Sequence, residues 1–169
     1  MVIAKTTRLN VREFEIQDSA FILQLLNTPS WLKYIGDRHI LTEGDAVNYL
    51  ERGPLKSYAE HGFGLNLVEL KDGTPVGMCG LIKRETLDDV DIGFAFLPGY
   101  EGQGFAFESA AAILTHARSL NISRIVAITL PGNKKSIRLL ERLNMKFEKM
   151  IRFPKEENEL MLFSVNFNL

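Results

Sequence analysis

A chain of 169 residues, 46% hydrophobic and 24% charged, has the make-up of a globular protein and the length of a single domain, residues 1–169. Its 20 basic and 21 acidic side chains leave a net charge of −1, which argues against nucleic acid or an anionic membrane as partner, since both call for a basic excess. A single cysteine, Cys79, rules out an internal disulfide, and no stretch approaches the ~20 apolar residues of a membrane span, so a cytoplasmic protein is expected.

The first strand is expected over residues 8–15, where Leu9, Val11 and Phe14 suggest one buried face. Gln17 or Asp18 then opens a short helix with Phe21, Ile22, Leu25 and Leu26 as its apolar stripe, and Asn27-Thr28-Pro29 closes it. The mixed stretch that follows carries Trp31 and Tyr34, which either pack between helices or wall a substrate pocket. Thr42 is an N-cap for a second helix over about residues 43–60, with Asp45 at its third position. Three strands joined by short turns follow at residues 63–70, 76–83 and 90–97, the first turn built on Asp72-Gly73. Cys79 falls in the middle strand, in an apolar run that marks it as a buried thiol.

Pro98 and Gly99 stop the third strand, and Gly102-Gln103-Gly104 leads at once into a helix with Ala106, Ala110, Ile113, Leu114 and Ala117 on one face. The unpaired N–H groups of a first helical turn attract anions, and glycines let a phosphate come close, so this turn is a candidate phosphate site. The equally simple alternative is a tight turn that binds nothing. Familiar nucleotide fingerprints do not fit: Phe107 stands where a dinucleotide fold needs a small residue, and a phosphate-loop Gly-Lys-Ser/Thr is absent. Beyond the helix, residues 124–130 are β-branched and apolar, and a strand reached by helical crossover lies parallel to the one before. A short amphipathic helix is expected over residues 134–143. Asn144 is its break, and strands at residues 146–153 and 160–167 end the chain.

The string from Gly99 to Ala110, with Gly102, Gly104, Phe105, Ala106 and Glu108, resembles the acetyl-CoA signature of the GCN5-related N-acetyltransferases (GNAT), especially the branch that acetylates ribosomal-protein N-termini. Asn133 and Ser136 match the family's next block, and the resemblance extends over about residues 6–167. Glu101, where Gln or Arg is frequent, and Phe107, where this branch often has Thr, depart from it.

The resemblance implies a mixed α+β fold: about seven strands, mostly antiparallel with one parallel pair, and about four helices. It implies acetyl-CoA as co-substrate, no metal, and as acceptor a primary amine on a peptide N-terminus or small molecule. It implies a monomer or homodimer. It assigns acetyl-CoA to Phe94, Ala95, Phe96 and Leu97 of the strand, Gly102, Gln103, Gly104, Phe105 and Ala106 of the turn, and Asn133 and Ser136. Ser136, with Asn133, is the catalytic candidate, because Leu140 stands where relatives place a tyrosine acid. A serine in a first helical turn also often bonds local backbone. For the general base, Asp91, Glu69, Glu108, Tyr100 and His116 compete with a chain of water; Trp31, Tyr34 and Asp91 are the candidate acceptor contacts. Glu101 is expected to be exposed, or paired with Lys134, Lys135 or Arg138. Two other functions stand beside acetyl transfer: a regulatory domain that binds acetyl-CoA without turnover, and a nucleotide-binding α/β domain.

Overall fold

The computed structural model describes residues 1–168; Leu169, the last residue of the expected domain, lies outside the described residues. Among the described residues eight strands, one more than expected, form a single sheet: β1 (Val2–Lys5), β2 (Leu9–Glu13), β3 (Leu65–Leu70), β4 (Pro75–Ile82), β5 (Val90–Phe96), β6 (Arg124–Thr129), β7 (Lys146–Ile151) and β8 (Leu160–Asn166). The additional one is β1, an edge strand of four residues with two exposed, too short and too wet to carry an alternating pattern.

Spatial order is β1-β2-β3-β4-β5-β6-β8-β7, and β5–β6 is the parallel pair. That pair is short. Val90 pairs with Ile125 and Asp91 with Val126, and there the pairing stops, although β5 runs on to Phe96 and β6 to Thr129. Past Asp91 the strands part, leaving the β5 edge that would face β6 without a ladder partner.

Helices cover both faces. On one lies α5 (Phe105–Ser119), whose Ala110, Ile113, Leu114 and Ala117 pack with Leu81, Ile92 and Phe96 of the sheet, as the spacing predicts. Burying a side chain such as Ile113, which is 0% exposed, stabilises the fold by about 1.5–3 kcal/mol. On the other face, α1 (Ser19–Leu25), α2 (Pro29–Tyr34) and α3 (Glu43–Leu50) pack with Leu67, Met78 and Leu97.

Helix α2 falls where the sequence suggested only a mixed stretch. Pro29 does not merely close α1; it occupies the first position of α2, where its missing N–H costs nothing, and the Thr28 hydroxyl accepts from the Trp31 N–H at 3.4 Å. Thr42 and Asp45 form the expected reciprocal cap on α3. The helix does not run on uniformly: Gly53-Pro54 sits in a widened π turn (Glu51–Leu55), and α4 (Lys56–His61) ends at Gly62. Proline has no N–H for a normal helical bond, so the turn opens around it. With α6 (Lys134–Arg142), and with α3 to α4 counted as one interrupted helix, the described residues form five helices against about four expected. Asn144 does take the left-handed conformation, at φ +61°.

Candidate active site

The parting of β5 from β6 opens into a cleft of about 2410 Å³ that runs from α2 and α3, across β5, to the start of α5 and to α6. Phe94, Ala95 and Phe96 border it from the strand, and Gly102, Gly104, Phe105 and Ala106 from the glycine turn. Leu97 and Gln103 do not. Leu97 is buried in the core under α1–α3, and the Gln103 side chain folds back to donate to the Gly99 carbonyl at 2.9 Å.

Both turn glycines have left-handed backbones, Gly102 at φ +74° and Gly104 at φ +83°, and Gly104 is the residue from which α5 starts. A Cβ on Gly102 would meet open space, whereas one on Gly104 would stand 3.2 Å from Nη2 of Arg8. Gly104 is thus required by its backbone angle, and a Cβ there would also press on Arg8, a residue for which the sequence carries no local signal. Arg8 donates through Nη1 to the Gln103 carbonyl at 2.9 Å and through Nε to Glu108 at 2.7 Å, and its guanidinium lies 4.5 Å from the Phe105 ring centroid.

Across the cleft, Asn133 caps α6 by accepting from the Ser136 N–H at 3.3 Å. Asn133 therefore has a structural task, and Ser136 is half-buried with no hydrogen bond from its hydroxyl among the described residues. Lys134, Lys135, Arg138 and Arg142 of α6 also border the cleft. Glu101 is tied between Ser30, whose hydroxyl donates at 3.1 Å, and Lys135 at 3.9 Å, one of the partners expected for it. Phe107 sits beneath Arg142, whose guanidinium lies 4.4 Å from the ring centroid. Neither departure from the family signature closes the cleft.

At the other end, Trp31 is 5% exposed and packs with Phe14, Ile22 and Leu25, so core packing describes it best, although its edge also borders the cleft. Tyr34 is half-buried at the cleft, with Lys33 Nζ 4.9 Å from its ring. Among the five candidate bases, only Asp91 and Tyr100 border the cleft. Glu69 is held by Arg12 at 3.1 Å, Glu108 by Thr6 and Arg8, and His116 lies on α5 away from the opening.

Asp91 is 1% exposed. Burial pushes its pKa from 3.8 up to about 6, against the opposing pull of Arg84. Arg84 Nε donates to Oδ2 at 2.7 Å, and Oδ1 has no partner among the described residues. The β4–β5 register, which sets Ile82 opposite Asp91, brings Arg84 to the carboxylate across the hairpin turn. Cys79 is buried against α5, its thiol pushed up to about 12 by desolvation, as suits an inert side chain.

Residues 8–146 match the acetyltransferase (GNAT) domain family. The uncharacterized N-acetyltransferase YnaD of Bacillus subtilis is 28% identical over 144 residues, covering 85% of this chain and 82% of its own. An acetyltransferase of the GNAT family from Bacillus anthracis superposes with a TM-score of 0.80 at 26% identity, over 98% of each chain. RimL, a ribosomal L7/L12 alpha-N-protein acetyltransferase solved in complex with coenzyme A, shares the fold, with a TM-score of 0.76 at 16% identity over 98% of each chain.

Proposed function

This chain belongs to the GNAT acetyltransferase family, and on that premise we propose that it is an acetyl-CoA-dependent N-acetyltransferase, a single domain that moves acetyl to a primary amine by direct attack. The observation that carries this is the parting of β5 and β6 just past Asp91, which joins an unpaired strand edge, the glycine turn and Ser136 in one cleft. Acetyl-CoA suits that cleft. The turn offers main-chain N–H groups for a diphosphate, from Gly102 and Gln103 in the loop and from Gly104, Phe105 and Ala106 at the helix start, and α6 adds basic side chains beside it. The open edge at Phe94, Ala95 and Phe96 offers amide partners for the pantetheine arm and a donor for the acyl oxygen, whereas the Leu97 N–H, one of the expected contacts, is already given to the Val76 carbonyl at 3.0 Å.

When bound, acetyl-CoA supplies an activated thioester, whose C–S bond breaks as the C–N bond to the amine forms. The chain's contribution is first alignment, which in well-oriented reactions is worth up to about 7–11 kcal/mol. Ser136 Oγ, uncommitted in the folded protein and held by the Asn133 cap, gives a proton to the departing sulfur. Asp91, with its pKa near 6 and an unpartnered Oδ1, takes the amine proton through water. The acceptor is a peptide N-terminus or a small-molecule amine. The exposed apolar side chains of Leu32 and Ile35 beside Trp31 and Tyr34, together with the likeness to RimL, favour the peptide.

The test is acetyl-CoA turnover against peptide N-termini and small amines, read as thiol release, together with calorimetric binding of coenzyme A. Binding with turnover on at least one acceptor is expected; an absence of coenzyme A binding would overturn the proposal.

Two variants probe the roles. Ser136→Ala is expected to lower kcat roughly ten- to a hundredfold with little change in cofactor affinity, because a hydrogen bond to a charged group is worth about 1.5–3 kcal/mol and here forms as charge develops. An unchanged single-turnover rate would remove Ser136 from the chemistry. Glu101→Gln keeps a partner for Ser30 but deletes a charge that is a third exposed and bound to Lys135. Coenzyme A affinity should rise no more than severalfold, with the gain fading as salt shortens the screening length to about 10 Å at 0.1 M. A large, salt-independent change would contradict this placement of Glu101.

A further inference from the structure

We propose that Arg8, a residue outside the cleft, is the positioning residue of the glycine turn and sets the turn's affinity for the cofactor diphosphate. The inference rests on the acetyl-CoA reading above. Arg8 stands immediately before β2, 95 residues from Gln103 and 100 from Glu108, yet it is tied to both. Nη1 takes the Gln103 carbonyl at 2.9 Å, Nε takes Glu108 Oε2 at 2.7 Å, and the Arg8 backbone N–H takes Glu108 Oε1 at 2.9 Å. Thr6 adds its hydroxyl to Oε1 at 2.6 Å, and the guanidinium lies over Phe105, the first residue of α5.

Two consequences follow from elementary chemistry. The peptide joining Gln103 to Gly104 is planar and trans, so its C=O and N–H point in opposite directions. Gly104 borders the cleft and Arg8 does not, so a carbonyl captured by Arg8 leaves the Gly104 N–H aimed at the cleft. Free rotation of that peptide would lose the donor, and the left-handed Gly104 backbone would hold it poorly alone.

The second consequence is electrostatic. Glu108 lies in the first turn of α5, where an unpaired carboxylate would repel a diphosphate bound at the same helix end. Burial alone would raise its pKa, but the bonds from Thr6 and Arg8 outweigh burial and hold it below the ordinary range, so it is ionised and needs its cation. Arg8 supplies that cation. One side chain thus orients the donor and cancels the charge that would oppose the ligand.

The experiment compares coenzyme A, measured by calorimetry, with pantetheine, which lacks the diphosphate and is followed by ligand-observed NMR. Melting temperatures are recorded alongside. Arg8→Gln should raise the Kd for coenzyme A about tenfold or more, the loss expected of charge-assisted hydrogen bonds, with pantetheine binding unchanged. Arg8→Lys keeps the charge but not the fork and should fall between Arg8→Gln and wild type. Adding Glu108→Gln to Arg8→Gln should restore part of the affinity by removing the stranded charge. Coenzyme A affinity within twofold of wild type in both Arg8 variants would overturn the inference. So would a parallel loss of coenzyme A and pantetheine tracking melting temperature, which marks a merely structural clasp. A wild-type protein that binds no coenzyme A would overturn the acetyl-CoA reading itself, and this inference with it.

Discussion

Replacing Gly104 with valine is expected to weaken coenzyme A binding by at least about a hundredfold while the sheet stays folded, the loss of roughly two charge-assisted hydrogen bonds at about 1.5 kcal/mol each. Gly104 sits at φ +83°, where a side chain with a Cβ costs about 1–2 kcal/mol and a β-branched one fits worst. The added carbon would also stand 3.2 Å from Arg8 Nη2. The cheapest escape is for residue 104 to leave the left-handed region, which swings the Gln103 carbonyl away from Arg8 and the neighbouring N–H groups away from the cleft. Gly104→Ala should lie between valine and wild type. Calorimetry with circular dichroism as a folding control decides the matter. A folded Gly104→Val protein with wild-type affinity would show that this turn does not hold the diphosphate.

The second large effect concerns stability. Arg84→Ala deprives Asp91, 1% exposed in the folded protein, of its counter-ion; breaking a fully buried pair from one side costs about 3–5 kcal/mol, and with Arg84 31% exposed the loss falls below that range. The cost depends on pH, and its sign follows from the direction of the shift. Asp91 in the folded protein holds its proton more tightly than the unfolded chain does, with a pKa of about 6 against 3.8. Its contribution to stability is thus complete below pH 3.8 and is lost as pH rises through 6.

Removing Arg84 takes away the group that pulls this pKa down, so the window extends upward. Urea unfolding of Arg84→Ala should show a larger deficit against wild type at pH 8 than at pH 5, where the carboxyl can bury itself neutral. Asp91→Asn on the same background should erase the difference between the two pH values. An equal deficit at both would mean that Arg84 acts by packing alone and that Asp91 is not charged beside it.

Much of this molecule could be read from neighbouring residues, because the forces concerned act within a turn or two. Apolar spacing on α5, the Thr42–Asp45 cap, the Asp72-Gly73 hairpin and the left-handed Asn144 are each decided by side chains within about four positions of one another. The parallel placement of β6 follows from its helical crossover, the glycine turn from Gly102 and Gly104 between a strand and a helical pattern, and the choice of Ser136 from the family's motif. Strand β1 carries no local signal, because an edge strand of four residues owes its existence to pairing with β2, not to its own pattern. Helix α2 carries an ambiguous one, because Pro29, read alone, ends a helix as readily as it begins one.

What only the tertiary structure decided lies in contacts between distant parts of the chain. Acidic candidates that were equivalent in sequence were separated by their partners: Glu69 is occupied by Arg12, Glu108 by Thr6 and Arg8, and Asp91 alone among the three borders the cleft with an oxygen unpaired. The cleft itself arises where β5 and β6 stop pairing, a property of two strands joined through a whole helix. Periodicity and capping report what a residue prefers within its own turn of chain. A pKa, a counter-ion or an open strand edge depends on which remote segment folding brings against it, and no local pattern encodes that.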